Sequence, residues 1–348
     1  MPLARSIRSN LAMLLAGRAS VKEVSRIVDR LSVEPSENLA TIPLDSVNIA
    51  AVQLQCKTYQ SLGEYIVDMN LYIADAVNRR AHIICFPAFT GMLPLSFLPH
   101  FSGMLPELQI RGGELPDPER IKETLGYYSD VMFDAYFNTM SALAASHRVY
   151  IMAGSCIYME SGELRHRAFL FDGSGDLVGH QDKIAPTRLE RALHIAGGTE
   201  VLTFNTPFGC VSMLIGSDIR HFETVRAAKA QGAQIILNPT ALAGLYTPID
   251  TAGGLNLRVQ ENSIYGVQCT MVGDTRLGLH LEAPCAIFAP NEMIRARVKN
   301  GLLLQSMGGG EPDILSATLD LDVIRGIRNP YFHDKNPDLL NKHIDKMY

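Results

Sequence analysis

The side chains able to do chemistry gather in four short stretches of the chain. In His180-Gln-Asp-Lys183-Ile-Ala-Pro186-Thr187-Arg-Leu-Glu190 a cation and an anion stand seven positions apart across a proline. A lysine held beside a carboxylate either forms a structural ion pair or stabilises negative charge developing on a substrate oxygen. Leu214-Ile-Gly216-Ser217-Asp218-Ile219-Arg220 puts a hydroxyl, a carboxylate and a guanidinium in a turn after an apolar run. Ser217 is the group there that could attack a carbonyl. Arg258-Val-Gln-Glu261-Asn262 carries a further charged pair, and Phe86-Pro87-Ala88 closes an apolar run with no ionisable group. The six cysteines, Cys56, Cys85, Cys156, Cys210, Cys269 and Cys285, form no C-x-x-C pair, and no histidine stands at zinc-ligand spacing from a pair of them. They read as buried free thiols in a reducing compartment, and no metal is expected.

Hydrophobic periodicity supplies the elements that must position these groups. Ile7, Leu11, Leu14 and Leu15 recur at roughly helical spacing. Ser20-Val-Lys-Glu23 reads as a capping box opening a second helix through Leu31, and Pro35 and Pro43 mark a linker. From residue 46 strands and helices alternate. Strands are expected over Val47–Leu54, His82–Phe86, Val149–Ala153, Ala168–Phe171, Val211–Ile215, Gln234–Leu237, 264–272, 283–289 and Ile314–Leu321. Helices are expected over residues 62–77, Tyr127–His147, Glu223–Gln231 and Leu255–Ser263, and the proline-rich stretch 92–120 reads as an elaborated loop. Strands cluster at the ends of two βα-type halves, a sandwich pattern and not that of a continuously alternating barrel.

Composition narrows the function classes. The 348 residues carry 31 Lys+Arg against 36 Asp+Glu, a formal charge of −5, so there is no basic footprint for nucleic acid. No apolar run approaches the ~18–20 residues of a membrane span. Arg5, Arg8 and Arg18 around the apolar Leu11–Ala16 fit a weak targeting segment or an amphipathic helix of a cytoplasmic protein.

Taken in order and spacing, Phe86-Pro-Ala88, the Lys183-to-Glu190 run, the Gly216–Arg220 turn and Arg258-Val-Gln-Glu261-Asn262 resemble the nitrilase superfamily of carbon–nitrogen hydrolases. The K-x-x-P-T-x-x-E run is closest to the nitrilases proper. The resemblance extends from about Val47 to the tail Asn336-Pro-Asp338-Leu339. It implies an α/β fold, a nitrilase-like α-β-β-α sandwich over 46–348, preceded by a helical extension and linker over 1–45. It implies a homodimer or larger homo-oligomer and no cofactor. It also implies a cysteine nucleophile, a glutamate base, a lysine that stabilises charge, and a second glutamate that orients the lysine.

Carried over residue by residue, the lysine falls on Lys183 and the second glutamate on Glu190. The base position is Ala88 and the nucleophile position is Gly216. The family's asparagine in the hairpin before Ala168 is His166, the proline of the post-nucleophile turn falls at Phe222, and a late G-x-S element reads Ala283-Pro-Cys285. The expectation is a pseudoenzyme whose Lys183, Glu190 and Ser217 bind a neutral or anionic small molecule or a protein partner. Two alternatives stand beside it: a carbon–nitrogen hydrolase using a non-standard nucleophile such as Ser217, and an assembly protein that uses its N-terminal helices.

Overall fold

Alternating apolar residues in the strands feed two different cores, and this builds the layers. In β1 (Ser46–Gln55) Val47, Ile49 and Ala51 enter one cluster, while Ala50, Val52 and Leu54 enter another. A period of two sends successive side chains to opposite faces, so a strand apolar on both faces must be covered on both. The computed structural model describes residues 19–37, 45–98, 109–110, 114–243, 254–293, 300–307, 310–327, 338 and 342. Residues 1–18, Pro43, most of 99–113 and, apart from Asp338, the tail at 336–339 lie outside them.

Helix α1 (Val21–Val28) precedes β1, and α2 (Leu62–Asn78) leads to β2 (Ile83–Cys85). Helix α3 (Pro118–His147) is followed by β3 (Tyr150–Glu160), β4 (Glu163–Phe171) and β5 (Leu177–Asp182). Then come α4 (Arg188–Ala192), β6 (Ile195–Ala196), β7 (Phe204–Thr206), β8 (Gly209–Met213), α5 (Phe222–Ala230) and β9 (Ile235–Thr240). The chain continues with α6 (Leu255–Asn262), β10 (Tyr265–Asp274), β11 (His280–Leu281), β12 (Ala286–Phe288), β13 (Leu302–Gln305), β14 (Asp313–Asp320) and α7 (Leu321–Gly326).

Strands run β5-β4-β3-β2-β1 in one layer and β10-β9-β8-β7 in the other. The layers join where β1 divides its pairing. Ser46–Gln53 pairs antiparallel with β14, and Gln53–Gln55 pairs parallel with β10. The cluster between the layers takes Cys85, Ala168, Ile215, Leu237 and Cys269, among others. The outer faces are covered by α2 and α3 on one side and by α5 and α6 on the other. This is the expected α/β sandwich. Among the described residues no helix is long and apolar enough to cross a membrane.

Three boundaries differ from expectation for local reasons. Helix α3 starts at Pro118, not Tyr127, because Asp117 caps it through the Arg120 amide (3.0 Å) and a proline in the first turn loses no hydrogen bond. Strand β9 runs through Pro239. Leu214 N donates to Leu237 O, so the N atoms of odd-numbered residues face β8, which has ended at Met213 before it reaches Pro239. Strand β3 runs on to Glu160 in a hairpin with β4. Ser20 is the N-cap of α1 by position, but the expected capping box is not made: its side chain forms no capping hydrogen bond and the Glu23 carboxylate pairs with Arg26, while Val24 and Val28 join the cluster beneath α2 and α3.

A buried histidine in α3 makes the fold acid-labile. His147 Nε2 bonds Asn70 Oδ1 (2.7 Å), Nδ1 has no partner among the described residues, and burial pushes the imidazole down to about 4. In the unfolded chain the group titrates near 6.5 and binds the extra proton first. Stability from His147 is therefore complete above about pH 6.5 and is lost as pH falls toward 4, to a total of about 3 kcal/mol. Urea unfolding at pH 7, 5.5 and 4.5 checks this, and His147→Gln should flatten the slope.

Candidate active site

Three positions of the site stand just beyond strand ends. Ala88 follows β2, Lys183 follows β5, and Gly216 follows β8. Lys183 N donates to His166 O (2.8 Å), which continues the β4–β5 ladder by one pair. His166 shares strand parity with Ala168 and Leu170, which point into the inter-layer cluster. Glu190 arrives on α4, whose Thr187 cap and Glu190 carboxylate form a reciprocal capping box.

Glu190 is the hub. Lys183 Nζ lies 2.9 Å from its Oε1 and 2.7 Å from its Oε2, His166 Nδ1 lies 2.6 Å from Oε1, and Thr187 N donates to Oε2 at 2.6 Å. Lys183, Glu190 and His166 are 4%, 4% and 1% exposed, so the charges are held out of water. Burial acts to raise the Glu190 pKa. Hydrogen bonds from His166 and Lys183, with the Lys183 charge, outweigh it and hold the carboxyl well below the usual carboxylate range. For His166, burial outweighs Glu190 and lowers the imidazole pKa, so the ring is neutral at pH 7. A carboxylate only accepts, so the network assigns the His166 proton to Nδ1 and leaves Nε2 as an acceptor.

Gly216 faces this pair. A Cβ built on it would stand 3.7 Å from Lys183 Nζ, and no other described atom beyond its chain neighbours comes within 4 Å. Its φ is +51°, a conformation that glycine adopts without strain. Asp218 makes its hydrogen bonds to backbone amides, within range of the Lys183 charge. Its oxygens accept from Ala185 N (2.7 Å), Ile215 N (3.0 Å) and Ile184 N (3.2 Å), which ties the turn to the lysine loop. Arg258 on α6 braces the same turn through the carbonyls of Ile219 and Arg220, both at 2.9 Å, and pairs with Glu261 at 2.7 Å. Ser217 Oγ donates to Ala185 O (3.0 Å) and not to a base, which removes the geometric support for a serine nucleophile at that position.

Ala88 is 2% exposed and packs in the inter-layer cluster, where its methyl group accepts no proton. The cysteines do not substitute for the missing thiol. Burial pushes Cys56 up to about 11 and Cys285 up to about 12, and it raises Cys85, Cys156 and Cys269 as well, so none of these five is activated as a thiolate. Cys210 lies at the start of β8, at the opposite end from the turn.

One member of the site was not singled out from sequence. Ser155 Oγ lies 2.7 Å from His166 Nε2 and accepts from Phe89 N at 3.1 Å. Met152 pairs with Leu170 and Ser155 with Ala168, so three steps on β3 oppose two on β4. That bulge turns Ser155 to the inner face, where strict alternation from Met152 would have sent it outward. Gly154 permits such a bulge but does not announce one, so nothing local to the strand signals this.

Residues 48–329 match the family model described as carbon–nitrogen hydrolase. The chain belongs to the carbon–nitrogen hydrolase family. Among curated members it is 27% identical over 283 residues to a probable hydrolase, YhcX, of Bacillus subtilis, a match covering 80% of this chain and 51% of YhcX. The chain thus spans about half the length of that relative. It is 20% identical over 307 residues to omega-amidase NIT2 of Homo sapiens, covering 85% of this chain and 97% of NIT2. Among solved structures it resembles a mutant of the amidase from Nesterenkonia sp. AN1 that carries an acetamide moiety on its active-site cysteine. That likeness has a TM-score of 0.65 at 20% identity and covers 87% of this chain and 98% of the amidase. At this identity the likeness establishes the family's fold.

Proposed function

We propose that this carbon–nitrogen hydrolase relative has lost the family's covalent chemistry and keeps its ionic centre to bind a small neutral or anionic molecule, or a partner group, through oxygen. The observation that supports this reading is the vacant side-chain position at Gly216, directly in front of Lys183. Deleting one member of a nucleophilic triad costs ~10⁴–10⁶ in turnover, and here the positions of base and nucleophile are both empty of reactive groups. An ammonium has three donors, and Glu190 offers two oxygens to them. With that charge balanced, an amide or carboxylate oxygen meets a donor without a competing fixed anion at position 88.

Relatives named nitrilase and omega-amidase suggest the probes. Butyramide and butyrate, titrated by calorimetry, are expected to bind the protein and not Lys183→Met, with no ammonia released from butyramide. Release of ammonia that Lys183→Met abolishes would refute the loss of chemistry, and failure of both probes to bind would refute the oxygen site. The same reading takes 46–348 as the hydrolase-like domain with 1–45 as its extension, in the cytoplasm. It expects a homodimer or larger assembly, which the mass in solution measures.

Gly216→Cys tests the position itself. The positive φ should cost about 1–3 kcal/mol in urea unfolding, although the Cβ has room. The introduced thiol, beside Lys183, should react with iodoacetamide ahead of the native cysteines, read as a single adduct by intact mass.

A further inference from the structure

Ser155, His166 and Glu190 make a continuous hydrogen-bonded line. Ser155 Oγ to His166 Nε2 is 2.7 Å, and His166 Nδ1 to Glu190 Oε1 is 2.6 Å. The polarity is set by chemistry. Ionised Glu190 only accepts, so Nδ1–H donates to it, and neutral His166 then accepts the Ser155 hydroxyl proton at Nε2. This is the connectivity and proton order of a serine nucleophile, its base and an orienting carboxylate, a constellation recognised by geometry and not by fold. We infer that Ser155 is a nucleophile with His166 as its general base and Glu190 as the positioning residue, and that it takes short-chain esters. The inference goes beyond the binding role of Lys183 and does not depend on it.

The surroundings fit the assignment. The bulge at Gly154 aims Ser155 inward, and an added Cβ at Gly154 would stand 2.0 Å from Pro87 O, so the β2–β3 approach is closed around the hydroxyl. Phe89 N–H holds Oγ in place at 3.1 Å. The Phe89 ring, half-buried, stacks on His166 with centroids 4.8 Å apart and planes 18° apart, on a backbone at φ +64°. A non-glycine residue in that region is strained, and such residues cluster at ligand clamps. Ser155 is fully buried, so the Phe89 segment, whose amide holds Oγ and whose ring lies on His166, must move to admit an ester.

The step balances with water as the only co-reactant. Oγ bonds to the ester carbonyl carbon, its proton passes to His166 Nε2, the ester C–O bond breaks, and the alcohol leaves with that proton. Water then attacks the acyl carbon and gives its proton to Nε2. The acyl–Oγ bond breaks, Ser155 recovers the proton, and the carboxylic acid departs.

A fluorophosphonate probe tests the assignment on the intact chain, because Oγ attack forms an O–P bond and expels fluoride. The expected result is one adduct per chain on Ser155 by peptide mapping, with p-nitrophenyl acetate hydrolysis blocked in proportion. Labelling should vanish in Ser155→Ala and fall by at least roughly 10²-fold in His166→Asn. It should rise in Phe89→Ala, with each variant shown folded by its melting transition. An unlabelled wild-type protein whose Phe89→Ala variant is also unlabelled, or an adduct on Ser217 or another residue, would overturn it. Butyramide binding lost in Lys183→Met fails or succeeds separately from these outcomes.

Discussion

Glu190→Ala is expected to lower stability by about 3–5 kcal/mol, because it strands a buried ammonium. Lys183 has its side chain 5% exposed, with both of its contacts to Glu190 under 3 Å. The same change removes the acceptor of His166 Nδ1 and opens the capping box of α4. For a domain of this size the loss is on the order of 10 °C in Tm. Lys183→Met should cost less, since the carboxylate keeps the His166 and Thr187 donors. The double variant Lys183→Met/Glu190→Ala should recover part of the loss, because removing both charges removes the desolvation penalty that neither single change relieves. Urea unfolding of the four proteins closes the cycle. A double variant as unstable as the sum of the singles would show that the pair is not coupled.

Gly154→Ala is expected to be at least as damaging, at more than about 4 kcal/mol or outright failure to fold. Its Cβ would stand 2.0 Å from Pro87 O, a backbone atom with no rotamer to yield, at a φ of +78°. The strain would fall on the segment that carries Ala88 and on the bulge that aims Ser155. Gly162→Ala is the control. It has φ +87° in the β3–β4 turn with no described atom within 4 Å, so it should cost only the ~1–3 kcal/mol of the backbone conformation. Similar losses in the two variants would show that the contact with Pro87 is not what position 154 answers to.

These two predictions also mark how far the sequence could be read. The layered fold was legible because β1, β8, β9 and β10 each carry apolar residues at every second position, as in Val47, Ile49 and Ala51 or Tyr265, Val267 and Cys269, and a period of two survives any tertiary arrangement. Lys183 and Glu190 were legible because seven residues of local chain, with Thr187 as cap, bring them together. His166 was visible only as an odd residue in a hairpin, since its partners lie 11 residues back and 24 residues on. Ser155 was invisible, because one extra residue in β3 reverses which face it occupies, and no local pattern announces that.

The sequence by itself determined what positions 88 and 216 are able to do, for a methyl group accepts no proton and glycine has no side chain to attack with. It also determined the alternation that forces two covered layers. Only the tertiary structure decided what Glu190 holds, which way Ser217 and Asp218 turn, and that a serine stands at the far end of the His166 ring. The physical reason is that those contacts are made across strands by register, and register is a property of pairing that no single segment of chain contains.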